Sequence, residues 1–289
     1  MTESAAHRES PLLDRTAQLL TRITAEPGTR LSPVSPNGSR RHMTPPTLVA
    51  VAHGSRDPGA LRTVTTLLER VRELRPGLEV RLGHIELNAP LLPDTLAGVD
   101  RGDVVLVPLL LGRGHHVKHD LPQAAATAPH LRTRVAAPLG PHPLLVETLY
   151  ARLTEAGWRD ADAADRGSGV VLAAAGSRDP ESAADTRRTA ALLSERLGGV
   201  PVLPAYASAA SPTVPQALRA LAARGRHRAA VASYFTAPGR FATQSAAAAP
   251  WLATAPLGAH AAMARLVLLR YDQALATRPA IPLRELATA

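Results

Sequence analysis

The chain has 289 residues, of which 45% are apolar and 3% aromatic, with a formal net charge of +9 and no cysteine. That length suits two domains of about 100–150 residues with a remainder. The missing cysteine excludes disulfides, thiolate nucleophiles, Cys-ligated zinc and iron–sulfur clusters, leaving His, Asp and Glu as metal ligands.

The charge does not single out nucleic acid as a partner. The arginines are spread through every segment, Lys118 is the single lysine, and aromatics for base stacking are scarce. A small polyanionic substrate would profit from the same field. No apolar run reaches the roughly 18 residues of a membrane span, and MTESAAHRES lacks the pattern of a targeting segment. The expectation is a cytoplasmic protein that binds neither nucleic acid nor membrane.

Residues 1–45 mix Pro, Ser, Arg and Thr around one weakly amphipathic patch, PLLDRTAQLL, and read as a disordered leader, with Met43 as an expected alternative start. TLVAVAH (47–53) is a short apolar run suited to a buried parallel strand. RDPGALRTVTTLLERVREL then reads as a helix with Asp57 as N-cap and Pro58 at its first position. LEVRLGHIEL is expected to be a strand, PLLPDTLAGV a short helix and DVVLVPLLL a second buried strand. GRGHH reads as a loop, with a helix from about Val117, and RTRVAAPLG and HPLLVETLYARLTEAG as a last strand and helix. Four βα units imply a four-stranded parallel sheet flanked by helices.

The pattern then repeats. AAGSRDP (174–180) answers AHGSRDP (52–58), and PAYASAASPTVPQAL answers GHIELNAPLLPDTL. VASYFTAPGRFATQ answers VPLLLGRGHHVKHD, and APLGAH (255–260) answers APLGPH (137–142). Four blocks in order indicate a tandem duplication. The expected organisation is an α/β domain over 46–160, a linker over 161–168, a second such domain over 169–277 and a tail over 278–289.

The duplication is an internal control: what both copies keep serves the fold, and what one copy lacks is a candidate for chemistry. Gly-Ser-Arg-Asp-Pro is in both, so Ser55 and Arg56 read first as structural and second as substrate contacts. His142 recurs as His260 and reads as a helix-start residue. In contrast, His53 becomes Ala175, Glu86 becomes Ser208 and His116 becomes Arg240, while His115, His119 and Asp120 become Gly239, Thr243 and Gln244. His84, expected by alternation to face away from Glu86, reads as structural. The carboxyl edge of an open parallel sheet is where ligands bind. Two His and one Glu converging there suit a divalent metal with open coordination positions.

The blocks AHGSRDP, IELNAP and PLLLGRGHHVKHDLP together resemble the class II tetrapyrrole chelatases that act on sirohydrochlorin. The resemblance covers about 47–160 well, and 168–275 as a decayed copy. It implies two tandem chelatase-like domains, with His53, Glu86 and His116 as metal ligands and His53 and His116 as catalytic groups. It also implies insertion of a divalent metal as substrate without ATP and without a permanently bound cofactor. Fe(II), giving sirohaem, is the favoured metal, with Co(II) or Ni(II) as alternatives. Sirohydrochlorin is an octacarboxylate, so Arg56, Arg113 and Lys118 are candidate substrate contacts. His119 falls where the family pattern demands nothing. The working unit is expected to be a monomer whose halves pack as a pseudo-dimer. Two other readings stay open: a metal or tetrapyrrole carrier, and a zinc hydrolase using His116, His119 and Asp120.

Overall fold

The computed structural model describes residues 45–277; the expected leader, apart from Pro45, and the tail over 278–289 lie outside the described residues. The first half runs β1 (Thr47–Ala52), α1 (Pro58–Leu74), β2 (Val80–His84), α2 (Leu92–Ala97), β3 (Gly102–Pro108), a π-helical turn (His116–Asp120), α3 (Leu121–Ala126), β4 (Leu131–Val135) and α4 (Pro143–Glu155). The second runs α5 (Asp160–Ala164), β5 (Ser168–Ala174), α6 (Pro180–Arg196), β6 (Val202–Tyr206), α7 (Val214–Ala222), β7 (Arg228–Tyr234), α8 (Arg240–Ala247), β8 (Leu252–Ala253) and α9 (Ala261–Ala276). The stretch expected as a plain linker therefore carries the short helix α5, whose Asp162 carboxylate accepts from the Arg159 backbone N–H.

Each half is a parallel sheet, ordered β2-β1-β3-β4 in the first and β6-β5-β7-β8 in the second. The protein is thus an α/β fold of two four-stranded parallel sheets flanked by helices. In both halves the central strand is followed by a neighbour on one side and then on the other. That reversal opens a crevice at its carboxyl end.

Alternation along the buried strands sets the packing. Leu48, Ala50 and Ala52 of β1 face one way, as do Val170, Leu172 and Ala174 of β5, into a single apolar core shared by both halves. Val49 and Val51 instead join Leu92, Leu96 and Leu121 in a core private to the first half, and Val171 and Ala173 join Val214 and Leu221 in one private to the second. The shared core lies between the two sheets and is filled by α1, α4, α6 and α9. Tyr271 of α9, 1% exposed, reaches across to donate its hydroxyl to the Pro46 carbonyl at 2.6 Å. Burying each such large side chain stabilises the fold by about 1.5–3 kcal/mol. Among the described residues no helix is long and apolar enough to cross a membrane.

The features kept in both copies are structural. Gly54 and Gly176 have φ of 103° and 92°, and a Cβ on either would collide with the carbonyl oxygen of Glu86 or Ser208; only glycine lets the two chain segments meet. Ser55 Oγ accepts from Asp57 N at 3.1 Å, and Ser177 Oγ accepts from Asp179 N at the same distance. Asp57 and Asp179 cap α1 and α6 through their side chains, each ahead of a proline. His142 and His260 cap α4 and α9, their Nδ1 atoms accepting from Leu144 N and Ala262 N.

Candidate metal centre

The site begins where the β1 and β2 ladder continues past its strands. Ile85 N donates to Ala52 O at 2.9 Å and Glu86 N to His53 O at 3.0 Å. These bonds hold His53 and Glu86 side by side, with Nδ1 and Oε1 3.6 Å apart. On the other flank of β1, Leu109 N donates to Val51 O at 2.8 Å and fixes the exit of β3. The chain then loops back and enters the π-helical turn at His116, whose ring lies 4.9 Å from that of His53 and nearly perpendicular to it, at 88°. His53 and Glu86 thus stand just past the ends of adjacent strands, and the turn after β3 brings His116 to the same place, where the strand order reverses. Their side chains are 44%, 53% and 37% exposed for His53, Glu86 and His116, open enough to meet a ligand.

The helical path starts at His116, one residue before the expected start, and its first turn is wide: Leu121 N donates to His116 O, five residues back. Such turns are rare and recur at functional sites. This one sets Asp120 beside His116, with Oδ2 2.5 Å from Nδ1. In a neutral imidazole, a carboxylate on Nδ1 favours the tautomer protonated there, which presents the Nε2 lone pair to a metal. Asp120 is therefore a functional candidate that the three-residue set leaves out. Two signals for it stood in the sequence: its spacing of four from His116 and its replacement by Gln244 in the second copy.

The other polar residues of the loop have different partners. His119 lies against His115, ring centroids 4.7 Å apart, rather than against His116. His84 is 2% exposed, its Nδ1 3.2 Å from Pro90 O, as a structural histidine should be. The expected reason was wrong, since residues two apart on a strand share a face; β2 ends at His84, and the turn that follows separates it from Glu86.

Above the centre lies a cavity of about 1020 Å³ lined by both halves, with His53, Glu86 and His116 in its wall. Arg56 lines it, whereas the side chains of Arg113 and Lys118, next to the lining residues Gly112, Gly114 and Val117, turn to acidic residues of the second half. Arg113 donates through N and Nε to Asp185 Oδ2 at 2.9 and 3.0 Å, through Nη2 to Oδ1 at 2.7 Å, and through Nη1 to Glu181 at 2.8 Å. Lys118 Nζ sits 2.6 Å from Asp179 and 2.5 Å from Glu181. Its hydrogen bond to Asp179 raises the lysine's pKa and lowers the aspartate's. These cations are ties between the halves: the buried Asp185, 3% exposed, needs a partner, and Arg113 supplies it. Among the described residues no three His, Asp or Glu side chains are drawn together into a metal-holding set. The candidate residues meet in pairs, with the cavity side open.

The CbiX family model matches residues 47–156 and again 169–274. The chain belongs to the CbiX family. Both matched stretches are halves of one tandem architecture, as the repeated blocks indicate. Curated relatives of this CbiX chain include the sirohydrochlorin ferrochelatase of Bacillus subtilis, 29% identical over 172 residues, which are 57% of this chain and 64% of that protein. A sirohydrochlorin cobaltochelatase of Priestia megaterium is 26% identical over 193 residues, 64% of this chain and 62% of that one. The chain thus spans less than two thirds of the length of these relatives. Among solved structures, SirB from Bacillus subtilis with Fe3+ superposes with a TM-score of 0.65 at 23% identity, covering 80% of this chain and 96% of that one. CbiX, described as the terminal enzyme for biosynthesis of siroheme in denitrifying bacteria, gives 0.61 at 21% identity over 80% and 100%. At these identities the likeness establishes the fold.

Proposed function

We propose that this chain is a metal chelatase of the lyase type that inserts a divalent ion, Fe(II) first, into sirohydrochlorin in the cytoplasm without ATP, giving sirohaem. One observation carries the reading: His53, Glu86 and His116 converge on one sheet edge, in the wall of a cavity of macrocycle size, and only in the first copy. The curated names of the relatives, ferrochelatase and cobaltochelatase, support a metal inserted into sirohydrochlorin; Fe(II) over Co(II) rests on the absence of a His-rich tract and of cysteines in this chain.

Insertion removes two pyrrole N–H protons, strips water from the ion and delivers it from one face of the ring. Imidazoles suit this because they serve in turn as ligand and as proton acceptor, titrating ordinarily near 6.5. As macrocycle nitrogens replace protein ligands, the lone pairs freed on His53 and on His116 Nε2 are available, one each, for the two protons the ring gives up. Asp120 then stabilises the His116 imidazolium. Glu86 contributes negative charge that attracts the ion, and ligands meeting only in pairs keep it exchangeable. Arg56 remains a candidate for a peripheral carboxylate. One chain supplies both walls of the cleft, which supports a monomer as the working unit.

The test is anaerobic incubation with sirohydrochlorin and Fe(II), Co(II) or Ni(II) in turn. Enzyme-dependent growth of the metallated spectrum over repeated turnovers is the expected result. Spectra matching the no-enzyme control with all three metals would overturn the chelatase reading, and a single stoichiometric change would make the protein a carrier.

A further inference from the structure

The second half has lost every metal ligand yet still forms part of the same cavity wall. What replaced them has a chemistry of its own. Where the first copy has His53, Glu86 and His116, the second has Ala175, Ser208 and Arg240, all lining the cavity. An edge that offered lone pairs to a cation now offers a cation. Arg240 cannot hold a metal and repels one. Its loop is well placed: Ser55 Oγ lies 3.5 Å from Pro238 O, so the segment leading to Arg240 rests on the turn that carries His53 and Arg56.

The two phenylalanines of the chain, Phe235 and Phe241, both line this cavity, in a protein with only 3% aromatic residues. They stand where the first copy has Leu111 and Val117. Neither is fully buried: Phe235 packs in part against the private core of the second half, and both keep surface toward the cavity. The Arg240 guanidinium lies 4.7 Å from the Phe241 ring centroid, a cation–π contact that steadies the charge without neutralising it. Arg113 and Lys118 are consumed by Asp179, Glu181 and Asp185, whereas Arg56 and Arg240 form no ion pair among the described residues.

We infer that the second copy has become the macrocycle-holding wall of the cleft: Phe235 and Phe241 give a flat tetrapyrrole an aromatic surface, and Arg240 pairs with one of its peripheral carboxylates. The inference rests on the tetrapyrrole substrate proposed above. It assigns Arg240 to selection of acid-rich rings rather than to metal capture. The metal comes from the first half and the ring is held by the second.

Binding is measured on the whole chain by fluorescence quenching with metal-free uroporphyrin, an octacarboxylate, and protoporphyrin, a dicarboxylate. Arg240→Ala should weaken uroporphyrin binding roughly tenfold, the effect of losing one charge-assisted hydrogen bond, and protoporphyrin binding by about twofold or less. Arg240→Lys should recover part of the loss. Phe235→Leu and Phe241→Leu should weaken both ligands alike, and Arg219→Ala, on the far helix α7, neither. Co(II) capture, followed by its d–d absorption, should be unchanged in Arg240→Ala. A uroporphyrin Kd within twofold of wild type in Arg240→Ala would overturn the inference, as would a parallel loss of Co(II) capture. If the wild type inserts metal while Arg240→Ala binds normally, only this assignment falls. If the wild type binds neither porphyrin and inserts no metal, the tetrapyrrole reading falls with it.

Discussion

The two halves share strand order, capping residues and the turn glycine, and differ at the carboxyl edge of the sheet. In the first, His53, Glu86 and His116 line the cavity, His116 backed by Asp120; in the second, Ala175, Ser208 and Arg240 hold the equivalent places. The difference extends to the backbone: His116–Asp120 forms a π-helical turn, while Arg240–Ala247 is regular α-helix. Folding constrains the shared features, because Gly54 and Gly176 meet equivalent carbonyl obstructions and Asp57 and Asp179 cap equivalent helices. It does not constrain the edge, so the edge was free to diverge into two chemistries.

The comparison breaks most sharply at the imidazoles. His53→Ala and His116→Ala should each lower insertion by roughly 10²–10⁴-fold while the circular dichroism spectrum and thermal midpoint stay near wild type, because the second copy folds with Ala175 and Arg240 in those places. His119→Ala, by contrast, should change turnover by about twofold or less. If His119→Ala were as damaging as His116→Ala, the hydrolase-like ligand set would return.

Asp120→Asn comes next. An amide on Nδ1 neither fixes the tautomer nor stabilises an imidazolium, so turnover should fall roughly 10–100-fold. Its pH–rate profile should also shift relative to wild type. A loss of rate with an unchanged profile would mean that Asp120 only shapes the turn.

Arg113→Ala tests the tie between halves rather than the chemistry. It leaves the buried Asp185 unpaired, so the thermal midpoint should drop clearly in differential scanning calorimetry, while turnover per folded molecule at low temperature survives. Equal loss of both would put Arg113 back among the substrate contacts.

The smallest effect is common to the two copies. Burial, with Arg270 nearby, lowers the pKa of His142, and burial, with Arg152 nearby, lowers that of His260. A histidine whose folded pKa lies below the unfolded value contributes stability that is present above about pH 6.5 and lost as pH falls through the folded pKa. Protonation also removes the Nδ1 lone pair that caps each helix. Denaturant midpoints should therefore decline from pH 7 to 5, and His142→Asn with His260→Asn should flatten that decline. A slope unchanged in the double variant would assign it to other groups.

Much of this was legible in the chain itself. The strands, the sheet class and the Asp and His caps follow from local rules, apolar runs and residues that satisfy orphan N–H groups, and the repeat doubled each reading. His53, Glu86 and His116 emerged because the two copies could be subtracted from one another. The sequence could not reveal pairing between residues far apart along the chain. Arg113 and Lys118 look like cleft cations until the fold sets Asp179, Glu181 and Asp185 beside them, and a charge in a sequence carries no mark of its partner. Asp120 stood in plain view, but its hydrogen bond to His116 depends on a π-helical turn that no local propensity announces. The common cavity wall, with Arg240 and both phenylalanines on it, exists only because the two sheets pack across one shared core, and that packing belongs to the tertiary structure alone.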